Sequence, residues 1–429
     1  MKVLVIGSGG REHTIVWKLK QSPKIEKIYC APGNAGIAEI AECLPIQADD
    51  IPALLNFAKE NTIDLTVVGP EIPLVAGIAD EFEATGLKVF GPSKKAAQLE
   101  GSKAFAKKIM KKYKVPTASY EVFKDLKKAK EHIFMSKFPV VIKADGLAAG
   151  KGVTVATSLV EATKALEDAM QNKVFGEAGA TVVIEECLQG EEASILAFVD
   201  GKNFVSMVSS QDHKRIFDDD KGPNTGGMGT YSPAPLVTNM MMDEISNKIL
   251  KPTIEGMAKE GAPYKGVLYA GLMLTKEGPK VIEYNCRFGD PETQVVLPRL
   301  ESDLLEAMLA CVDGTVDQLQ LSWKQDAAVC VVLAADGYPG SYEKGKPIQG
   351  LENFKDLPDV VVFHAGTKLE EGVVKTSGGR VLGVTGLGSD IKAAIKKAYN
   401  AVNKIQFDGI YFRKDIGKKA LKHLQTVKK

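Results

Sequence analysis

Short apolar runs alternate with amphipathic stretches through the first hundred residues, and few architectures accept that order. Runs at 3–6, 25–30, 65–68 and 87–90 are separated by stretches near 11–20, 50–60 and 75–85 in which apolar side chains recur at helical spacing. Strands joined through helices pair in parallel and need a helical layer on each face, so the pattern predicts an α/β domain built on a parallel sheet. Asp50 before Ile51-Pro52 is a predicted N-cap, with proline in the first turn, where its missing N–H costs little.

The chain of 429 residues is too long for one core, so about two to four domains are expected. Its 55 basic and 54 acidic side chains nearly cancel, which removes any general electrostatic reason to bind nucleic acid or an anionic membrane. No apolar run is long enough to cross a bilayer, and the N-terminus turns into a glycine-rich segment where a signal peptide needs a longer apolar stretch. A cytoplasmic protein without nucleic-acid or membrane partners is expected. Six scattered cysteines without a Cys-x-x-Cys pair read as core thiols.

Beyond Ser102 a lysine-rich helix (103–112) leads into a smaller α/β unit ending near 186, in which a strand through Lys143, a glycine loop (145–152) and a returning strand (153–156) form a hairpin. Strands over 191–210, a long polar loop over 211–235, a helix over 238–261 and a hairpin over 266–286 follow. A third, α+β unit is expected after Trp323, with strands at 327–335, 360–364 and 379–385 and a helix at 391–404.

Four constellations carry candidate chemistry. The first, Gly7-Ser8-Gly9-Gly10-Arg11-Glu12-His13, lies between a strand and a helix, where backbone amides and the helix dipole favour a phosphate. A dinucleotide fits poorly, because Glu12 replaces the third glycine and the second strand ends at Cys30-Ala31-Pro32 without an acid for a ribose. A small phosphorylated substrate is favoured, although strand-to-helix geometry alone produces the same turn. Asn34 and Gly36, with Glu71 after Gly69-Pro70, fall at the same sheet edge.

The second constellation joins Lys103, Lys143 and the glycine hairpin tip, which together suit nucleotide phosphates. Glu185, Glu186 and Leu188 end a strand whose backbone can pair with an adenine edge, and Glu192 can accept from ribose hydroxyls. The third is Glu283-Tyr284-Asn285-Cys286-Arg287. Residues two apart share a strand face, so Glu283 and Asn285 offer adjacent hard oxygen ligands suited to Mg²⁺, and Arg287 continues that face toward a carboxylate or phosphoryl group. The alternative is one polar face of an edge strand. The fourth, with Asp212, His213, Lys214 and Gly227 in the long loop, could order on a polar substrate, though a solvated loop has the same composition. His213 ranks there as a supporting donor at most.

Taken in order, Gly-Ser-Gly-Gly-Arg-Glu-His, Ala-Pro-Gly-Asn-Ala-Gly, Val-Ile-Lys-Ala-Asp-Gly-Leu-Ala-Ala-Gly-Lys-Gly-Val, Ser-Gln-Asp-His-Lys-Arg, Gly-Pro-Asn-Thr-Gly-Gly-Met-Gly and Asn-Cys-Arg-Phe-Gly-Asp-Pro-Glu-Thr-Gln resemble the glycinamide ribonucleotide synthetases, or phosphoribosylamine–glycine ligases, of the ATP-grasp superfamily. The resemblance runs from residue 1 to Arg413-Lys414-Asp415-Ile416-Gly417. It implies an N-terminal phosphoribosylamine-binding domain (1–101), a two-lobed ATP-grasp domain (102–322, small lobe about 122–190) and a C-terminal α+β domain (323–429). The implied reaction joins glycine to 5-phosphoribosylamine at the expense of ATP, in purine biosynthesis.

Implied ATP contacts are Lys103, Lys143, Glu185, Glu186, Leu188 and Glu192; implied ligands for Mg²⁺, or Mn²⁺, are Glu283 and Asn285. Arg287 and Lys143 are the implied catalytic pair. Substrate contacts are expected from Gly9, Gly10, Glu12, Asn34, Gly36, Glu71, Asp212, Lys214, Gly227, Arg287 and Asp290, in a monomer. One departure is that Tyr269-Ala270-Gly271-Leu272-Met273 lacks the acid many superfamily members carry on the first hairpin strand, so fewer protein ligands to the metal are expected. Rival readings are an ATP-grasp ligase for another acid and amine, a nicotinamide-dependent oxidoreductase, and a non-enzymatic nucleotide sensor.

Overall fold

The computed structural model describes residues 1–148, 152–354 and 357–427; Ala149, Gly150 and Lys151, part of the expected glycine tip, lie outside the described residues. The N-terminal sheet has five parallel strands in the order Glu42–Cys43, Lys27–Pro32, Lys2–Gly7, Leu65–Val68, Val89–Phe90. Val3, Leu4, Val5 and Ile6 are fully buried, as a central parallel strand covered on both faces requires. Chain order reverses beside this strand, so the carboxyl edge at Gly7, Pro32 and Val68 opens into a crevice. Asp50 caps the Ile51–Glu60 helix by accepting from the Ala53 amide. The stretch near 75–85 divides into helices Glu71–Ala76 and Ile78–Ala84, because Gly77 takes a left-handed conformation (φ +108°) that ends the first.

The small lobe is a four-stranded antiparallel sheet ordered Tyr120–Phe123, Val182–Glu186, Val140–Ala144, Val153–Ala156. Helices Leu126–Phe134 and Leu159–Leu166 bury Ala129, Ile133, Ala162 and Leu166 against it, in a hydrophobic cluster separate from the rest of the molecule. A lobe with its own core can shift as a unit without exposing anyone else's. The larger sheet, ordered Phe204–Ser206, Glu191–Asp200, Lys265–Thr275, Gly278–Asn285, instead shares its core with the N-terminal domain: Leu4, Ile6, Leu74, Ala270, Leu272 and Val281 lie in one cluster.

The expected loop over 211–235 is a correction. It contains strands Gln211–Asp212, Arg215–Phe217, Lys221–Asn224 and Gly229–Ser232. Gly229–Ser232 pairs with Gln211–Asp212 on one side and Ala327–Ala335 on the other, and the sheet continues through Arg380–Gly388 to Val360–His364. All four residues of Gly229–Ser232 are buried, so no alternation marks the strand, and its partner lies about a hundred residues away. Counted outside the small lobe this is the third sheet; packed under helix Ile391–Val402, it is not confined to the residues after Trp323. Among the described residues no helix is long and apolar enough to cross a membrane.

Candidate active site

The third constellation sits on the Gly278–Asn285 strand and its continuation. Glu283, Asn285 and Arg287 are half-buried toward a cleft, and Tyr284, Cys286 and Phe288 are buried behind them. A register shift opposite Gly271 and Leu272 pairs Glu283 with Gly271 and Val281 with Leu272, leaving Ile282 unpaired. Its carbonyl oxygen accepts from Lys143 Nζ at 3.0 Å, which joins the small lobe to the larger sheet.

Lys143 Nζ also lies 3.1 Å from Glu185 Oε2, and Lys107 Nζ lies 3.1 Å from the same oxygen. The other carboxylate oxygen of Glu185 is buried without a partner. Lys103 Nζ donates to the Gly146 carbonyl at 3.2 Å, and burial lowers its pKa despite the nearby Glu283. Glu186 is exposed and accepts from the Ser119 amide at 2.9 Å; Leu188 is half-buried beside it. Glu192 pairs with Lys214 at 2.9 Å, and Lys214 Nζ reaches Glu283 at 3.8 Å. Burial disfavours the charge on Glu283, but Lys214, Lys143, Lys103 and Arg287 outweigh it and hold the carboxyl below its usual range.

Arg287 is caged. Nε donates to Glu71 at 3.1 Å, Nη1 to the Phe288 carbonyl at 3.1 Å, and Nη2 to Glu100 at 2.9 Å and Asn285 Oδ1 at 3.2 Å. Asp212 accepts from the His213 amide at 2.6 Å, and burial followed by Glu292 raises its pKa well above normal. Gly227 (φ +111°) closes on it, since a Cβ there would stand 2.8 Å from Asp212 Oδ1. His213 points away into the third sheet, its Nδ1 3.2 Å from the Gly229 carbonyl.

The glycine turn is built differently. Glu12 accepts from the Gly9 amide at 2.6 Å and from Arg11 Nε at 2.5 Å, so both its oxygens are engaged in the interior, where it is 2% exposed. The missing Cβ atoms of Gly7 and Gly69 leave the space it fills. Asn34 donates to the Ser8 and His364 carbonyls, both at 2.8 Å, and accepts from the Gly36 and Ile37 amides, both at 3.0 Å. A Cβ on Gly36 would strike His13 and His364. The side chains of Glu12 and Asn34, two of the expected substrate contacts, are thus hydrogen-bonded within the protein, and Gly36, a third, packs against two histidines. Asp290 lies 3.4 Å from the Arg11 amide and 2.8 Å from Gln294 Nε2, with Arg380 and Arg11 outweighing burial to keep it ionised. Gly9 and Gly10 line the edge beside it.

Three models of the phosphoribosylglycinamide synthetase family match the chain in order: the N domain over 1–100, the ATP-grasp (A) domain over 101–293 and the C domain over 328–419. The phosphoribosylamine–glycine ligase of Caldanaerobacter subterraneus subsp. tengcongensis is 55% identical over 97% of this chain and 99% of its own. The chain belongs to the phosphoribosylglycinamide synthetase family. A crystal structure of the Thermotoga maritima phosphoribosylamine–glycine ligase superposes with a TM-score of 0.83 at 37% identity, over 97% of this chain and 100% of the other. The biotin carboxylase domain of Hydrogenobacter thermophilus 2-oxoglutarate carboxylase, at 16% identity and a TM-score of 0.73 over 96% and 91% of the chains, shares the fold.

Several residues of this family member's cleft escape a sequence reading. Lys107, 1% exposed, has its pKa lowered by burial to about 8 in spite of Glu185; its one sequence signal is the four-residue spacing from Lys103 on the same helix. Glu100, which accepts from Arg287 and the Cys286 amide, has no local signal. Arg380, from the third sheet, reaches the Gly226 carbonyl at 2.6 Å and the Asp290 carbonyl at 2.8 Å. Glu292, 3% exposed, accepts from Tyr269 at 2.8 Å. Among the described residues no three of His, Cys, Asp and Glu converge as a metal cluster, so Glu283 with Asn285 is a two-donor set, which fits a hard divalent cation that shares phosphate oxygens.

Proposed function

We propose that this chain catalyses the ATP-dependent ligation of glycine to 5-phosphoribosylamine through glycyl phosphate, releasing glycinamide ribonucleotide, ADP and phosphate, a step of purine biosynthesis. The observation that carries the reading is the meeting of Glu283, Asn285 and Arg287, on one strand tip, with Lys143 and Lys103 across the cleft, in a member of this family. The domains divide at 1–101, 102–322 and 323–429, except that strands Gln211–Asp212 and Gly229–Ser232 join the sheet of the third, and the small lobe of about 122–190 closes over ATP.

The unpartnered oxygen of Glu185 accepts from the adenine amine beside the backbone of Glu186 to Leu188, and Glu192 takes the ribose hydroxyls. Glu283 and Asn285 would hold Mg²⁺, or Mn²⁺, which would supply neutralisation of phosphate charge. Lys143 and Lys103 contact the phosphates. A glycine carboxylate oxygen attacks the γ-phosphorus in line, and the bond to ADP breaks. Arg287 orients the carboxylate with its planar fork, exchanging one of its present acceptors for substrate. The neutral amine of phosphoribosylamine then attacks the acyl carbon, and phosphate departs with the carbon–oxygen electron pair and can take the amine's proton. Asp212, Lys214, Gly227 and Asp290 border the ribosylamine, with Gly9, Gly10 and Glu71 beyond. Closure must exclude water, which would hydrolyse glycyl phosphate.

Mass spectrometry after incubation with ATP, Mg²⁺, labelled glycine and fresh phosphoribosylamine tests the reading. The expected result is label in glycinamide ribonucleotide and one ADP per product; ADP release that ignores either co-substrate sinks it.

A further inference from the structure

The Arg413-Lys414-Asp415 motif takes no part in the reaction as proposed, yet its arginine is built into the back of the cleft. The Arg413 side chain is fully buried. Nε and Nη2 donate to the two oxygens of Asp415, both at 2.8 Å, and Nη1 donates to Asp220 Oδ1 at 2.9 Å and to the Arg215 carbonyl at 3.0 Å. A planar fork serves these acceptors at once, which a lysine cannot. Tyr399 fixes the backbone behind it, donating to the Arg413 carbonyl at 2.7 Å.

What the arginine grips is the hairpin of Arg215–Phe217 and Lys221–Asn224, a two-stranded unit that joins no larger sheet. Such a hairpin is marginal by itself. Its turn carries Asp219 and Asp220 at φ +56° and +53°, a left-handed backbone that residues other than glycine rarely adopt. The third domain holds that turn: Asp415 accepts from the Asp219 amide at 2.9 Å, Asp218 accepts from the Lys414 amide at 2.8 Å, Lys419 pairs with Asp220 at 2.5 Å, and Lys418 lies 3.7 Å from Asp219. The base of the hairpin is the substrate wall. There the Lys214 carbonyl accepts from the amide and the hydroxyl of Thr225, both at 2.8 Å, and Thr225 Oγ1 accepts from the Gly227 amide at 3.0 Å. The gripped carbonyl of Arg215 is one residue from Lys214. On the other side of Lys214, His213 turns into the third domain, where burial, then the charges of Arg413 and Lys419, lower its pKa to about 4.

We propose that Arg413 is a positioning residue for 5-phosphoribosylamine: through the Arg215 carbonyl and Asp220 it sets where Lys214 and Gly227 stand, without touching a reactant. This rests on the placement of the ribosylamine beside Asp212, Lys214 and Gly227 in the function proposed above. The ATP and glycine contacts assigned to Lys103, Lys143, Glu192 and Arg287 stand on other elements, so Arg413 acts on one substrate of the three.

Arg413→Lys, which keeps the charge but not the fork, tests this in the full chain, with Asp220→Asn as a milder variant that leaves Arg413 on Asp415. Glycinamide ribonucleotide, the stable product with the same ribose phosphate, is titrated calorimetrically, with ADP as the control; neither needs turnover. Arg413→Lys should weaken glycinamide ribonucleotide by about tenfold or more and raise the KM for phosphoribosylamine by a like factor, while ADP affinity and the KM values for ATP and glycine stay within about twofold. Asp220→Asn should move the same two quantities by about threefold. An arginine that only stabilises the fold gives another result, a lower thermal midpoint and fewer active molecules with all three KM values unchanged, and that overturns the proposal. Equal weakening of ADP and glycinamide ribonucleotide also overturns it. If Arg413→Lys does not fold, Asp220→Asn decides alone: a selective loss of glycinamide ribonucleotide affinity supports the proposal, and unchanged affinity sinks it. Wild type that binds no glycinamide ribonucleotide removes the substrate assignment beneath it, a failure visible before any variant is made.

Discussion

The glycine turn of the first domain and the tip of the Gly278–Asn285 strand both carry motifs that suggest a ligand, yet their polar groups are satisfied in opposite ways. At the turn, Glu12 is paired with a neighbouring amide and arginine and Asn34 mainly with nearby amides and a nearby carbonyl, the His364 carbonyl being its one distant partner, and glycines leave the room they occupy. Nothing there can be exchanged without loosening the domain. At the strand tip the partners come from elsewhere: Lys143 from the small lobe, Lys214 from the end of the Gln211–Asp212 segment, Glu71 and Glu100 from the N-terminal region. Such pairs can be replaced by a ligand's charges while every element stays folded. Mainly local pairing with backbone groups fits scaffolding, and charged pairs borrowed from several separate segments fit an exchangeable site.

The contrast breaks most clearly if the two glutamates are exchanged in role. Glu283→Gln removes the proposed metal ligand and should lower turnover at saturating substrates by about a thousandfold, in the range seen when a preorganised electrostatic group is lost. Its thermal midpoint should stay close to wild type, since several cations around Glu283 retain other partners. Glu12→Gln should do the reverse. It removes the nearest counter-charge of the Arg11 guanidinium, 7% exposed, leaving only the more distant Asp290 and Glu71, and should lower unfolding free energy in urea by about 3 kcal/mol. Activity per folded molecule should change only a few-fold. A Glu12→Gln protein as stable as wild type but inactive would return the turn to the list of catalytic surfaces.

Sequence alone carries much of this, and unevenly. The strands at 65–68, 327–335 and 360–364 and the helix at 103–112 are legible residue for residue, because burial on one or two faces writes a period into neighbouring positions. The side-by-side placement of Glu283 and Asn285 is legible for the same reason. What is lost is pairing between distant segments. Gly229–Ser232 is a strand only because Ala327–Ala335 lies beside it, and Glu100 is part of the cleft only because Arg287, 187 positions later, turns back toward it. The glycine turn is legible only in part for a third reason: a residue pattern fixes that the backbone must bend there but not how much of the bend a buried glutamate fills.

Acid should separate the two regions by a smaller and graded effect. His13 and His364 pack the turn against the third sheet, with His13 Nδ1 accepting from the His364 amide at 2.8 Å. Burial lowers the pKa of His13 to about 3 and of His364 to about 4, from 6.5, so the folded state resists protons that the unfolded chain accepts. Their contribution is therefore complete above pH 6.5 and declines as pH falls toward 4, by about 1.4 kcal/mol per unit for each neutral histidine. Urea unfolding followed between pH 6.5 and 4.5 should show this slope, and His13→Gln, whose amide oxygen can still accept from His364, should reduce it by about 1.4 kcal/mol per unit. Glu283 at the strand tip adds no such term in that window, because the cations around it hold its carboxyl ionised below the usual range. An unchanged slope in the histidine variant would mean that the turn opens to solvent before the domain unfolds, and the distinction between a closed scaffold and an exchangeable site would then rest on Glu12 alone.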